Sequence, residues 1–474
     1  MLTPEKGIFC GMFSSLRSWY NEIKNGLSTE GSFVRNSAWM FSASGLSILM
    51  QLVFFPILSR IYRPEDYGVF GVFNFYTTTL GTAILLGYNQ AFVLPSTERA
   101  FGALLRFTIW VTLGLSALCF GIQLIWGEAI LAYFHHESLG NWAYMIIPVA
   151  LFMAFDRLTT DWAIREKEFK KQMIVTTSVM GGTKVFNILY GLAISASAAG
   201  LIWTAFLQHF LKTMAYMLVV IKGGFSHFSE RFGKKEMAEQ AREYKEFPLY
   251  IYWGGLINMF SSGFPSALLP VLNFSMKAVG FYNNALIVLD IPLRIFGSAI
   301  TSVYSQKAAE LVKSGNTDLS GPTWKIYRSL TLVSLVFLGG MMLLGEPLYA
   351  FAFGESWRTA GAAAELLAVY YFFRMISAPL TSLFGILRRE KEFFLFQMGL
   401  MVARLLSLWC GSWVTDDFLT LMLIFSVVNA VAYFGLSIWI FALVRIPLMR
   451  AVTFTLLSSA AVLGLVLAIK MWWV

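Results

Sequence analysis

Leu419-Thr-Leu-Met-Leu-Ile-Phe-Ser-Val-Val-Asn-Ala-Val-Ala-Tyr-Phe-Gly-Leu-Ser-Ile-Trp-Ile-Phe-Ala442 is a run of 24 residues without a charge. As a helix it extends about 36 Å at 1.5 Å per residue, enough to cross ~30 Å of hydrocarbon. Similar runs recur along the whole chain, at residues 37–59, 68–94, 106–126, 143–163, 173–195, 201–221, 248–272, 282–305, 329–345, 361–385, 394–413 and 419–442. A thirteenth candidate, 451–470, leads into Lys470-Met-Trp-Trp-Val474. The expected fold is an all-α polytopic membrane protein with twelve transmembrane helices and this thirteenth candidate. Composition agrees. Hydrophobic residues make up 57% of the 474, mean hydropathy is +0.65 and only 13% are charged, against about 25% in a soluble domain. Three scattered cysteines (Cys10, Cys119, Cys410) and four histidines imply neither a disulfide framework nor a metal site. Residues 1–35 lack the apolar core and cleavage site of a signal peptide. Within them, Ile8 to Ile23 reads equally as an interfacial helix or a disordered tail.

Working outward from the spans, the charges sort by side. With the N-terminus in the cytoplasm and the spans alternating, cytoplasmic segments collect 25 Lys and Arg and outside segments five. This asymmetry orients a membrane protein. It also accounts for the net charge of +9 without nucleic acid.

Six cations remain inside the spans: Arg157, Lys184, Lys212, Arg294, Arg374 and Arg404. Each would cost about 2.5–3.5 kcal/mol at the bilayer centre if it faced lipid. They are therefore expected to face a protein interior or a water-filled cavity. A cationic interior suits an anion, so the expected cargo is an anionic amphiphile.

The chain also repeats. Arg165-Glu-Lys-Glu-Phe169 recurs as Arg389-Glu-Lys-Glu-Phe393 at an offset of 224. Gly127 to Ser138 aligns on Gly345 to Ser356 at 218, and Tyr67-Gly-Val-Phe70 on Val279-Gly-Phe-Tyr282 at 212. Two units of six spans each would share one orientation, related by an axis along the membrane normal, with the substrate near the midplane between them. The expected organisation is a cytoplasmic segment at 1–35, an N-lobe at 36–221, a cytoplasmic linker at 222–247, a C-lobe at 248–443 and a C-terminal segment at 444–474. The two parallel six-helix lobes would surround a central cavity.

Leu58-Ser-Arg-Ile-Tyr-Arg-Pro-Glu-Asp-Tyr-Gly-Val-Phe70, Met276-Lys-Ala-Val-Gly-Phe-Tyr-Asn283, Phe353-Gly-Glu-Ser-Trp-Arg-Thr-Ala-Gly361 and the basic loop Arg165 to Lys171 resemble, in order and spacing, the bacterial polysaccharide repeat-unit flippases. These form the Wzx-type branch of the multidrug/oligosaccharidyl-lipid/polysaccharide exporter superfamily. The resemblance covers about residues 35–445. It implies an inner-membrane flippase that moves undecaprenyl-diphosphate-linked oligosaccharide from the cytoplasmic to the periplasmic leaflet by alternating access, for O-antigen or another surface polysaccharide. It also implies coupling to H+ or Na+, contact with membrane lipid, and polymerase and chain-length proteins of the same pathway as neighbours. No phosphate loop is present, no catalytic constellation stands out, and no cofactor is called for.

The six cations are the candidate substrate-binding residues; Asp290, Asp156 and Glu365 are the coupling-ion candidates. Asp290 and Arg294 lie four apart on span eight with Pro292 between them. They read either as a self-neutralising pair or as a salt bridge that substrate opens. Lys184 and Arg404, 19 and 15 residues beyond the start of the repeated pentapeptide, would reach the cavity from opposite lobes or bond to neighbouring helices. Arg157, between Asp156 and Asp161, could snorkel. Three alternatives carry different expectations. A cation-coupled multidrug exporter of the same superfamily favours an acidic cavity. A peptidoglycan-precursor flippase resembling its family would have fourteen spans. A membrane glycosyltransferase or polymerase needs catalytic groups on a large external loop.

Overall fold

A computed structural model of the chain describes residues 33–221, 232–315 and 318–473. Helices stand at every position where the sequence predicts a span. In the N-terminal half they are α1 (Phe33–Ile61), α2 (Pro64–Ala83), α3 (Glu98–Tyr133), α4 (Ile146–Arg165), α5 (Phe169–Ala193) and α6 (Ala198–Ala215). A polar helix, α7 (Lys234–Glu243), lies in the linker. The C-terminal half holds α8 (Tyr252–Val271), α9 (Met276–Pro292), α10 (Ser298–Lys313), α11 (Ser320–Phe353), α12 (Arg358–Ser377), α13 (Glu390–Val414) and α14 (Phe418–Leu443). The thirteenth candidate is a helix too, α15 (Leu448–Trp473). It packs on α11 through Tyr327 and Thr455, whose hydroxyls lie 2.6 Å apart, and through an edge contact of Trp324 with Phe454. No strand occurs among the described residues. The Ile8 to Ile23 stretch lies outside them.

Starts and stops follow from local chemistry. Thr97, Ser275 and Asp417 each accept a backbone N–H from the first turn of the helix that follows. Pro64 opens α2 at the position where a missing N–H costs nothing, and Asp66 accepts from Arg63 N at 3.0 Å. The short turns between helices use left-handed residues, among them Lys167, Gly354 and Arg388. Pro292 removes a backbone donor inside the eighth span. The chain passes there through a π turn, Leu293–Gly297, so that α9 and α10 form one rod from Met276 to Lys313.

Among the described residues, eight helical segments are long and apolar enough to cross a membrane by composition alone, among them α3, α11, α13 and α14. Helix α2 falls short because it is rich in Thr, Tyr and Gly. It is wedged between α4, α6, α8 and α9, so protein rather than lipid meets its polar groups. The chain is a polytopic helical membrane protein.

The basic turns gather at one end of the bundle. Arg165 donates to the Phe92 and Pro95 carbonyls at 3.1 and 2.9 Å and pairs with Glu98 at 2.9 Å. Arg99 pairs with Glu236 of the linker helix at 2.6 Å. At the other end the two halves meet closely. Trp357 Nε1 donates to Ser59 O at 2.6 Å, Arg60 Nη2 to Phe351 O at 2.5 Å, and Lys277 lies 3.9 Å from Glu65.

The contact of α2 with α9 has two-fold symmetry. A methyl group on Gly68 would lie 1.8 Å from Met276 O, and one on Gly280 would lie 1.8 Å from Pro64 O. The partners in both contacts are related by 212 residues, the offset of the weakest sequence pair. Gly71 and Asn283, also 212 apart, face each other directly. The pentapeptide pair behaves differently. The left-handed turn residues are Lys167 and Arg388, 221 apart. Arg165 to Phe169 forms a turn in the first copy, whereas Arg389 to Phe393 mostly begins α13 in the second. That identity is therefore three residues out of structural register.

Candidate functional site

Among the described residues, three of the six candidate cations pair with carboxylates. On α4 and α6, Asp156 takes Lys212 Nζ at 2.9 Å and His209 Nδ1 at 2.9 Å. Lys212 also lies over the Tyr216 ring, 5.4 Å from its centre. His209 and Lys212 share a helical face because they are three residues apart. Arg157 reaches Asp161 at 3.5 Å with most of its side chain exposed, and Asn89 Nδ2 donates to the same carboxylate at 2.6 Å.

In the other half, Asp290 on α9 accepts from Arg374 Nη1 at 3.2 Å and from the Tyr371 hydroxyl at 2.9 Å. Both donors come from α12, one turn apart, and the guanidinium stacks 5.0 Å from the Tyr371 ring centre. Sequence spacing pointed instead to Arg294. The π turn after Pro292 inserts an extra residue per turn, and Arg294 stands there on its exposed side.

Arg404 is buried, with no carboxylate partner among the described residues. Its Nε donates to Asn429 Oδ1 at 2.9 Å, Nη1 to Ser261 Oγ at 3.0 Å and Nη2 to the Tyr433 hydroxyl at 3.2 Å. One planar fork thus ties α8, α13 and α14 together. Lys184, on α5, makes no hydrogen bond or ion pair among the described residues. Measured from the left-handed turns, Lys184 lies 17 residues beyond Lys167 and Arg404 lies 16 beyond Arg388. Their depths therefore match to about 1.5 Å of helix rise, closer than the pentapeptide register implied.

Glu365 on α12 accepts the backbone N–H of Glu346 at 3.0 Å. Pro347 interrupts the α11 ladder at that point, and the carboxylate supplies an acceptor where Gly345 and Gly361 bring the two helices together.

A cavity of about 270 Å³ lies beside Arg374, among α8, α10, α12, α13 and α14. Asn258, Thr301, Gln397 and Tyr433 line it, with Phe393 and Phe396 along one wall. A larger cavity of about 490 Å³ between α2, α3 and the 137–145 turn holds none of the six cations. His209, Tyr371, Asn429 and Tyr433 were not singled out from the sequence. A signal for them was present, since His209 and Tyr371 each precede an interior cation by three residues and Asn429 precedes Tyr433 by four. Thr301 and Gln397 carry no comparable signal, because only the fold brings them to one cavity.

Among solved structures the fold is similar to an inward-facing multidrug resistance MATE family transporter of the MOP superfamily, at 13% identity and a TM-score of 0.66, covering 85% of this chain and 96% of that one. It is similar to the lipid II flippase MurJ in an inward closed conformation, at 11% identity and a TM-score of 0.65, covering 92% and 93%. A MOP superfamily transporter from Pyrococcus furiosus Vc1, described as having a binding pocket of reverse polarity, matches at 13% identity and a TM-score of 0.53, covering 86% and 97%. No curated protein sequence matches. The family model for polysaccharide biosynthesis proteins matches residues 57–362, well over half of the chain. On that match, which runs across these helices, the chain belongs to the polysaccharide biosynthesis protein family.

Proposed function

We propose that the protein is a flippase for undecaprenyl-diphosphate-linked oligosaccharide repeat units, moving them from the cytoplasmic to the periplasmic leaflet of the bacterial inner membrane. The observation that carries this reading is Lys184: a cation within a spanning helix with no protein partner among the described residues. A diphosphate would offset a charge whose exposure to lipid costs about 2.5–3.5 kcal/mol. Arg404, at the same depth in the other half, adds a second positive charge with no carboxylate partner among the described residues. Membership of the polysaccharide biosynthesis family and a fold shared with the lipid II flippase support the same cargo class.

In this reading residues 36–221 and 248–443 are two six-helix lobes, the basic end is cytoplasmic, and the N-terminus lies on that side. The tight contacts at the opposite end close the periplasmic exit, which corresponds to an inward-directed state. Substrate enters from the basic end. Its diphosphate draws on Lys184, Arg294 and Arg404, and competes with Asp290 for Arg374. The released Asp290 carboxylate then takes a proton or sodium ion that drives the return. Asp156, held by Lys212 and His209, is a second coupling site, and Arg157 sits at its cytoplasmic side. Glu365 serves the α11–α12 contact and takes a coupling role only if that contact opens.

The test uses a strain lacking the gene but retaining the later polymer steps. The lipid-diphosphate oligosaccharide is expected to accumulate on the cytoplasmic face of the inner membrane. Wild type is expected to relieve this, whereas Arg294→Ala and Lys184→Met should not, and Arg294→Lys should relieve it in part. Normal translocation together with altered efflux of cationic dyes would reject the flippase reading in favour of a drug exporter.

A further inference from the structure

The 270 Å³ cavity beside Arg374 holds groups that the diphosphate does not need. Asn258 and Gln397 line it, and the side-chain amide of neither makes a hydrogen bond among the described residues. Gln397 is seven residues into α13, about 10 Å along the helix from its basic-end start. Amide groups at such depth are costly unless something polar meets them.

Two breaks in helical geometry converge on the same space. The π turn Leu293–Gly297 supplies Leu293 and Gly297 to the lining. The 3₁₀ turn Ala378–Thr381 at the end of α12 supplies Ala378, Pro379 and Thr381. Irregular backbone at membrane depth is tolerated where it borders protein or a polar cavity, and π turns recur at functional sites.

The chemistry of the lining selects among ligands. Asp290 already neutralises Arg374, so while that pair is closed the cavity is a poor phosphate site. Donors and acceptors of both kinds surround it: two amides, the Thr301 hydroxyl, the Tyr433 phenol and the remaining guanidinium N–H groups. One wall is aromatic, with Phe396 stacked on Phe393 at 6.3 Å and edge-on to Tyr433 at 6.3 Å. A hydroxylated edge opposite a C–H face that packs on aromatic rings describes a pyranose. The volume of about 270 Å³ suits one sugar ring.

We infer that this cavity is a monosaccharide subsite that holds one sugar residue of the glycan, with Asn258 and Gln397 reading its hydroxyls and the Phe393–Phe396 wall its apolar face. The inference rests on the flippase reading for its biological ligand, but its physical test does not.

The test places Gln397→Cys in a background with Cys10, Cys119 and Cys410 replaced by Ser, and reconstitutes the full chain in lipid nanodiscs. Maleimide labelling is followed with methyl glycosides of a hexose, an N-acetylhexosamine and a hexuronic acid, with sorbitol, and with inorganic pyrophosphate. At least one glycoside is expected to slow labelling threefold or more, saturably, while sorbitol and pyrophosphate do not, and labelling of a Trp413→Cys control stays unchanged. A position that never labels, equal effects of sorbitol and glycosides, or protection by pyrophosphate alone would overturn the assignment.

In cells, Asn258→Ala and Gln397→Ala at normal expression should lower translocation of the native unit at least tenfold. If the deletion strain accumulates substrate inside and both variants restore it fully, the subsite fails while the flippase reading stands. If the deletion strain accumulates nothing, the flippase reading fails, and glycoside protection decides the subsite by itself.

Discussion

Removing the charge of Lys184 and removing that of Arg404 should have opposite consequences for stability. Lys184 has no partner among the described residues to strand, so Lys184→Met relieves an unpaired charge; the melting temperature is expected to hold or rise while translocation falls. Arg404→Met leaves Asn429 Oδ1 without its donor and unties three helices. A stranded buried polar group costs about 1–3 kcal/mol, so this variant should melt earlier. Thermal unfolding in detergent checks both, and equal shifts would contradict the assignment of a structural role to Arg404 alone. Asp290 and Arg374 form a coupled pair. Breaking a buried pair costs about 3–5 kcal/mol, and less here because both side chains remain partly exposed at 33% and 23%. Arg374→Met alone is expected to destabilise more than Asp290→Asn with Arg374→Met together; additive effects in that cycle would show that the pair does not interact.

Helix α2 is the element on which both halves depend. Its crossing with α9 admits no side chain at Gly68 or Gly280, because the obstructing atoms are backbone carbonyls that cannot swing aside. Overpacking a tight contact typically costs 1–3 kcal/mol, and an immovable neighbour puts Gly68→Ala or Gly280→Ala at or above the upper end. Each is expected to lower the melting temperature and to raise the labelling of Glu65→Cys, since Glu65 lies at the same joint. Equal stability of both alanine variants with the wild type would mean that the helices separate here at no cost. The π turn after Pro292 acts at the same scale. It begins one residue before Arg294, and Asp290 takes Tyr371 and Arg374 of α12 as partners.

At the scale of the whole molecule, the halves are clamped together at the end away from the basic turns. The clamp comprises Trp357 on Ser59, Arg60 on Phe351 and Lys277 near Glu65. Nearer the basic end they remain joined along α2 and α8, where Thr82 meets Met259. Alternating access requires the clamp to open. Glu65→Cys with Lys277→Cys, in a background without the native cysteines, is expected to transport under reduction, stop on oxidation and recover with reductant. Full transport by the oxidised protein would reject a mechanism in which that end must part.

The sequence by itself determined the membrane class and the positions of the helices. Both follow from local quantities: the length of apolar runs and turn chemistry. Its weakest repeat, at Gly68 and Gly280, lies on the molecular pseudo-axis, because a backbone-to-backbone contact constrains residue type more than a surface turn does. Its strongest, the pentapeptide, is out of register, because a basic turn needs charge and not a fixed alignment. Which cation meets which carboxylate was decided only by the tertiary structure. Asp156 with Lys212, Asp290 with Arg374, and Gln397 with Asn258 across one cavity join residues from different helices, and the rotation and spacing of packed helices cannot be read from the periodicity of any one of them.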